Sequence, residues 1–433
     1  MKPAAPSPTV PQRSRVVERS PIYYGWVILF AGTLGLFMTT PGQTVGVSVF
    51  LDSIIADLDM QRSRVSLMYT LGTLIASFAL PFVGRFIDRR GPRLAVVLIS
   101  ALLALACVWM GFVGGLVTLF IGFLFIRGLG QGSLSLVSLY IVNVWFVRRR
   151  GLAVGISGLG LAIGIAFFPL LIEALLQEFG WRTAYMLLGG LVAMTILPIG
   201  AWLFRGQPER FGLRPDSGAS TTDEPVAETN LSLAQAQRTA TFWLFVAGNV
   251  CVAALSTGLI FHHYSIMAAG GIERLEAATV FVALGFIIAG ANFLTGFLVD
   301  RVPPRFLLGA SMGFLALALV LATQVSGQMS VLVYGTLLGI SQGMNGALGG
   351  SVYAYYFGRE HIGAIKGFAS TLSVAGTAFG PFLFAVGFEQ AGSYLPVLFI
   401  SALLPVAIGV VALFLKPGTG QGSGGEKSRG AST

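Results

Sequence analysis

One basic side chain stands deep inside an apolar run. Arg127 lies within residues 116–145, followed by Gln131, Ser135 and Ser138 at spacings of four, four and three. On a helix these four make a single polar stripe. Arginine keeps its charge and can hold a carboxylate through two parallel bonds, so the stripe suits anion binding or charge coupling. The plainer alternative rests the guanidinium on backbone carbonyls near the end of its helix. Other polar residues in apolar runs are candidate substrate contacts on the same logic. Thr40, Gln43 and Thr44 flank a break at Pro41-Gly42, Asn292 stands in a later run, and Gln342 and Asn345 lie one turn apart in another. The alternative for each is a bond from helix to helix. His262 and His263 are candidate proton carriers, because imidazole titrates near neutral pH; the alternative is a bond to backbone at the outer end of a run. No Asp or Glu stands mid-run, which leaves His, Arg or the solute to carry a proton. There is no metal-ligand cluster, cofactor motif or nucleophile–base grouping, so neither metal nor cofactor is expected and an enzyme is disfavoured. Cys107 and Cys251 read as small apolar packing residues.

The scaffold that positions these residues is a membrane one. The chain has 433 residues, of which 55% are hydrophobic and only 10% charged, with 57 Gly. Soluble domains carry about 25% charged residues. A crossing helix needs about 20 apolar residues. Twelve such runs follow: 22–45, 65–86, 94–113, 116–145, 151–174, 182–204, 241–266, 277–299, 306–325, 330–357, 363–387 and 394–415. The expected fold is therefore all-α and polytopic, with two six-helix bundles at 22–204 and 241–416. A tail at 1–21, a linker at 205–240 and a Gly/Ser-rich, disordered tail at 417–433 complete the chain. No cleavable signal peptide is evident, because the first twenty residues are Pro-rich, polar and basic.

The net charge of +9 sits in short turns and not in one block, which signals topology and not nucleic-acid binding. The turns at 85–93 and 146–150 are arginine-rich. The opposite turns, near 52–64 and 173–182, carry Asp52, Asp57, Asp59, Glu173 and Glu178. Both termini and the linker should then be cytoplasmic. A monomer in the cell membrane, with lipid around it, is the expected working form.

The chain also repeats. Gly84-Arg85-Phe86-Ile87-Asp88-Arg89-Arg90-Gly91-Pro92-Arg93 returns as Gly296-Phe297-Leu298-Val299-Asp300-Arg301-Val302-Pro303-Pro304-Arg305. Gln131 returns as Gln342, whereas the mate of Arg127 is Leu338, so the scaffold itself needs no charge there. Two parallel six-span repeats are one layout of secondary transporters. The elbow residues Gly84, Asp88, Arg89 and Arg93, with Asp300, Arg301 and Arg305, read as a conformational latch whose charges pair with helix ends or neighbouring turns. The retained Asp is the reason, since orientation alone requires only bases.

The 84–93 stretch resembles the loop signature of the major facilitator superfamily, between its second and third helices. Tyr23-Tyr24-Gly25-Trp26 and Trp145-Phe146-Val147-Arg148-Arg149-Arg150-Gly151-Leu152-Ala153-Val154-Gly155-Ile156-Ser157-Gly158 resemble the monocarboxylate-transporter and oxalate/formate-antiporter branch. That resemblance implies a secondary transporter that moves a small organic anion by alternating access, with a proton or by exchange. It also fits Arg127, since many proton-linked members carry an arginine in the fourth helix. One departure stands out: members of the branch usually hold the carboxylate with an arginine in the eighth span, and 277–299 has neither Arg nor Lys. An exporter of a toxic or apolar solute on the same fold is the alternative.

Overall fold

A computed structural model describes residues 14–146, 150–214, 231–299, 301–357 and 362–415, without the side chains of residues 88, 150, 151, 350, 354 and 362–364. The regular structure among them is helical. After a short α1 (Arg15–Glu18), the first crossing is α2 (Tyr24–Phe37), a 3₁₀ turn at Thr40–Gly42 and α3 (Thr44–Leu58). Pro41 removes a donor from the ladder, which breaks the helix at this point. The helix then resumes well past the expected end of the run. Asp52 and Asp57 therefore lie on α3 and not in a turn, and the turn itself begins at Asp59, in the left-handed region at φ 47.

Next come α4 (Arg62–Arg90) and α5 (Pro92–Met110). Most of the expected elbow is thus the end of α4. Arg89 and Arg90 occupy its last turn, where cations complement the carbonyl end of the helix. Gly91, at φ 85, makes the turn alone. The fourth crossing is α6 (Leu116–Ile126), a π-helical stretch at Arg127–Leu134 and α7 (Ser135–Trp145). The long α8 (Arg150–Leu203) is interrupted at Gly180, at φ 74 and ψ 165, and so holds two crossings. Glu173, expected in a turn, lies inside the first of them.

The later elements are α9 (Leu233–Ala236), α10 (Ala240–Phe261), α11 (His263–Ala269), α12 (Arg274–Leu298), α13 (Pro304–Ala322), α14 (Gln328–Phe357), α15 (Ile362–Ala391) and α16 (Leu395–Phe414). Among the described residues, ten helices are long and apolar enough to cross a membrane. Reading α8 as two crossings and adding the 30-residue α14 reproduces the twelve-run layout. Large apolar side chains such as Phe78, Phe112, Met194, Phe293 and Phe414 stand exposed, as lipid-facing residues do.

The described helices belong to two compact units. One comprises Met1–Thr221 and Arg274–Phe286, the other Thr222–Glu273 and Ile287–Thr433. In the first, α8 packs against both α2 and α5. In the second, α10 packs against α15 and α13 against α16. These are the same pairings, since α10, α13, α15 and α16 are the repeat mates of α2, α5 and the two halves of α8. Small residues let the backbones approach. Gly160 and Gly164 of α8 leave room for the Thr33 and Phe37 carbonyls, and Gly380 does so for Ala254. Gly155 and Gly158 face open space.

Candidate functional site

The first unit builds a polar centre around Arg127. Gly42, at the break in the first crossing, and Gly130, in the π-helical stretch, touch backbone to backbone. A Cβ on either would lie 2.8 Å from the Cα of the other. This approach lets Arg127 Nη1 donate to the Gly42 carbonyl at 3.0 Å, while Nε donates to Thr73 Oγ1 at 3.1 Å. The guanidinium lies over the Tyr69 ring at 4.7 Å, and the Tyr69 hydroxyl meets Thr44 Oγ1 at 2.8 Å. Arg127 is only 2% exposed. Its Nη2 has no hydrogen-bond partner among the described residues, nor do the buried Oε1 of Gln131 and Oγ of Ser138. No carboxylate pairs with it there either. A lone charge at this depth is costly, so the arrangement is built to hold one and is left one bond short. The π-helical widening coincides with this residue. Its repeat partner, α14, is α-helical throughout. Widenings of this kind recur at functional sites.

Of the other first-unit candidates, Gln43 sits beside Gly42 and donates from Nε2 to Thr39 Oγ1 at 3.2 Å. Thr40 bonds its own turn, to the Phe37 carbonyl at 2.8 Å, and packs against Gly164 of α8. Its hydroxyl holds the break in shape.

The second unit gathers neutral amides. Asn345 Nδ2 donates to Asn249 Oδ1 at 2.8 Å, joining α14 to α10. Gln342 keeps a buried Nε2 without a partner among the described residues. Asn292 of α12 crosses the same stretch of α14, where Gly343 and Gly346 leave space: a Cβ at Gly346 would lie 2.7 Å from Asn292 Nδ2. Asn249 was missing from the candidate contacts. Its signal was a polar residue in an apolar run, as for Asn345.

The histidines lie elsewhere in that unit. His262 caps the end of α10 and His263 begins α11. His262 Nε2 lies 2.7 Å from the Pro381 carbonyl oxygen, which can only accept, so Nε2 bears the proton. The Tyr394 hydroxyl stands 3.3 Å from Nδ1. His263 stacks on the Tyr334 ring at 5.9 Å. Both are buried.

At the elbows, Arg305 Nη1 donates to the Leu415 carbonyl at 3.1 Å, at the end of α16. Arg301 folds back on its own helix end, donating to the Phe297 carbonyl at 3.0 Å. Arg89 and Arg93 are exposed, and neither Gly84 nor Gly296 has a neighbour that a Cβ would touch. Asp300 and the Asp88 side chain lie outside the described residues, as do residues 1–13, 147–149, 215–230, 358–361 and 416–433.

One cluster escaped the sequence. Glu173, fully buried in α8, receives Arg274 Nε at 3.1 Å and Nη2 at 3.2 Å, and Gln177 Nε2 at 3.1 Å. Arg274 also donates to the Val49 carbonyl at 2.7 Å and lies 3.6 Å from Asp52, which Arg62 holds at 2.7 Å. The eighth crossing therefore does carry an arginine, in its first turn. It lies just before the 277–299 run, which itself has neither Arg nor Lys.

The sequence profile of the Major Facilitator Superfamily matches residues 26–272 and again 251–432. Human monocarboxylate transporter 6 is 30% identical over 181 residues, 41% of this chain and 35% of that protein. Human monocarboxylate transporter 11 is 25% identical over 391 residues, 89% of this chain and 71% of that protein. The oxalate:formate antiporter of Oxalobacter formigenes is 26% identical over 174 residues, 40% of this chain and 41% of that protein. The matched stretch thus spans less than half of two of these three relatives. A solved bacterial homologue of the human lysosomal transporter Spinster, inward-facing and occupied, superposes with a TM-score of 0.68 at 18% identity, covering 90% of this chain and 95% of that one. That likeness speaks for the fold. With the profile matching both halves of the chain, the chain belongs to the Major Facilitator Superfamily and is related to the monocarboxylate transporters and the oxalate:formate antiporter.

Proposed function

We propose that the protein moves a small organic anion of the monocarboxylate type across the cell membrane by alternating access, with a proton or by exchange. Arg127 carries the reading. Its guanidinium is buried without a counter-charge and keeps Nη2 unpartnered among the described residues. A carboxylate placed there supplies both the missing charge and the missing bond. Gln43 and Gln131 in the first unit are proposed contacts for the rest of the solute. In the second unit, taken by itself, Asn249, Asn292, Gln342 and Asn345 are proposed as polar contacts for solute. Thr40 supports the break that presents the Gly42 carbonyl. The termini, linker and elbows are placed on the cytoplasmic side by their arginines, and the working form is a monomer in lipid. The elbows act as a latch; Arg305 on the end of α16 is the kind of helix-end pairing such a latch uses.

Thermal unfolding of the purified protein tests the reading. A ligand that binds only the folded state raises the melting temperature, by about 2.7 kcal/mol of stability at a hundred times its Kd. Lactate or formate should raise it in the wild type and leave Arg127→Ala unmoved. An equal rise in both proteins removes Arg127 from the site.

A further inference from the structure

The second unit carries an apolar groove between α10 and α16, about 270 Å³ in volume. Leu244, Ala247, Ala407 and Val411 run along it, Ala240 and Leu415 lie at one end, and no polar side chain lines it. Ala247, Ala407 and Val411 are exposed, so the groove opens away from the core. Its Leu415 end is basic. Arg305, in the first turn of α13, donates from Nη1 to the Leu415 carbonyl at 3.1 Å. Arg305 Nε is buried without a partner among the described residues, and no carboxylate there pairs with the guanidinium. Arg238 stands exposed two residues before Ala240. Neither α10 nor α13 has an acid in its first turn. Two cations therefore sit beside helix N-termini, whose partial charge is already positive. Trp243, in the first turn of α10, is 46% exposed and donates from Nε1 to the Gln237 carbonyl at 2.7 Å. Such a half-wet indole is the kind of ring that settles at headgroup depth.

We propose that this place binds one phospholipid with a net negative headgroup, its phosphate on Arg305 and one acyl chain in the groove. The inference rests on the chain lying in a membrane, and not on which solute it carries. Nη1 keeps its bond to Leu415, which leaves the edge formed by Nε and Nη2. That edge matches two phosphate oxygens, and the guanidinium keeps its charge at any working pH. Arg238 and the two helix N-termini add to the same positive field. A zwitterionic headgroup brings a cation back into that field and gains less. Free phosphate could use the arginine but not the apolar groove beside it. The repeat shows that the scaffold does not need an arginine to close this helix end. Leu203 and Arg93 are the mates of Leu415 and Arg305 at the same spacing. In the first unit the Tyr24 hydroxyl donates to the Leu203 carbonyl at 2.8 Å, and Arg93 is exposed.

Native mass spectrometry of the purified full chain tests this, with dioleoyl phosphatidylglycerol and dioleoyl phosphatidylcholine offered in equal amounts. Wild type should retain a single phosphatidylglycerol at about five times the occupancy of phosphatidylcholine, the worth of one basic residue against an anionic lipid. Arg305→Gln should retain the two lipids alike. Ala407→Phe, which fills the groove from its exposed side, should lose both. Arg90→Gln removes an exposed charge far from the groove and should keep the wild-type preference. Inorganic phosphate added to the sample should leave the bound lipid in place. Equal retention of the two lipids by wild type, or an unchanged preference in Arg305→Gln, overturns the inference. So does loss of the preference in Arg90→Gln, displacement by inorganic phosphate, or a dimer of the chain in place of the lipid adduct. Should Arg305→Gln fail to fold, Ala407→Phe decides, since full retention of phosphatidylglycerol by that variant also overturns it. No solute enters the measurement, so its failure leaves the organic-anion reading standing, and a failed melting test leaves this one standing.

Discussion

Arg127 illustrates how much one side chain can reveal and how little it reveals alone. Its chemistry was legible because a charge in an apolar run is an outlier with few explanations. Its partners were not legible, because the Gly42 carbonyl becomes an acceptor only once the first crossing breaks and two glycines touch. The structure keeps part of each reading, since the guanidinium does rest on a backbone carbonyl and yet retains a nitrogen without a partner among the described residues. Arg127→Lys should therefore bind lactate at least tenfold more weakly in an equilibrium titration, because an ammonium keeps the charge and loses the planar fork. Thr73→Val should cost about 1 kcal/mol in the same titration, the worth of one hydrogen bond that orients Nε. Glu173 shows the opposite case. Nothing local marks it as buried, because its partner Arg274 lies 101 residues away in the chain.

At the scale of elements, the repeat was read correctly where apolar runs and their charged ends define it. It was read poorly where helices run past the apolar core. The charged ends of α3 and α4 stay helical, because Gly84 is the one poor helix former in Asp52–Leu58 and Gly84–Arg90, and the helices end only at Asp59 and Gly91, where φ turns positive. The π-helical stretch was invisible, since no composition distinguishes it from an ordinary glycine-rich turn of helix. The glycines separate into two kinds on this basis. Gly130→Ala should destabilise the protein by about 1–3 kcal/mol in thermal unfolding, the usual range for overpacking, because its Cβ meets Gly42. Gly84→Ala meets nothing and should leave the melting temperature unchanged. If its transport rate falls all the same, the residue serves a state with a tighter elbow, as a latch requires.

For the whole molecule, family and fold followed from the elbow motif, the twelve runs and their repetition, all of which are patterns of composition along the chain. The solute does not follow in the same way. The residues proposed to contact it are mostly neutral amides, and Asn and Gln in apolar runs carry no unique signature. The arginine bias predicts that tags on both termini react with a membrane-impermeant reagent only after the cytoplasmic face is opened. The most direct test of the account is uptake of radiolabelled lactate into proteoliposomes holding the wild type or Arg127→Ala, at matched incorporation. Wild type should accumulate the label, and the variant should fall to about a tenth of that rate or less, as removal of a bidentate charged contact implies. Equal uptake by the two proteins, or a wild type that moves no organic anion, would contradict it.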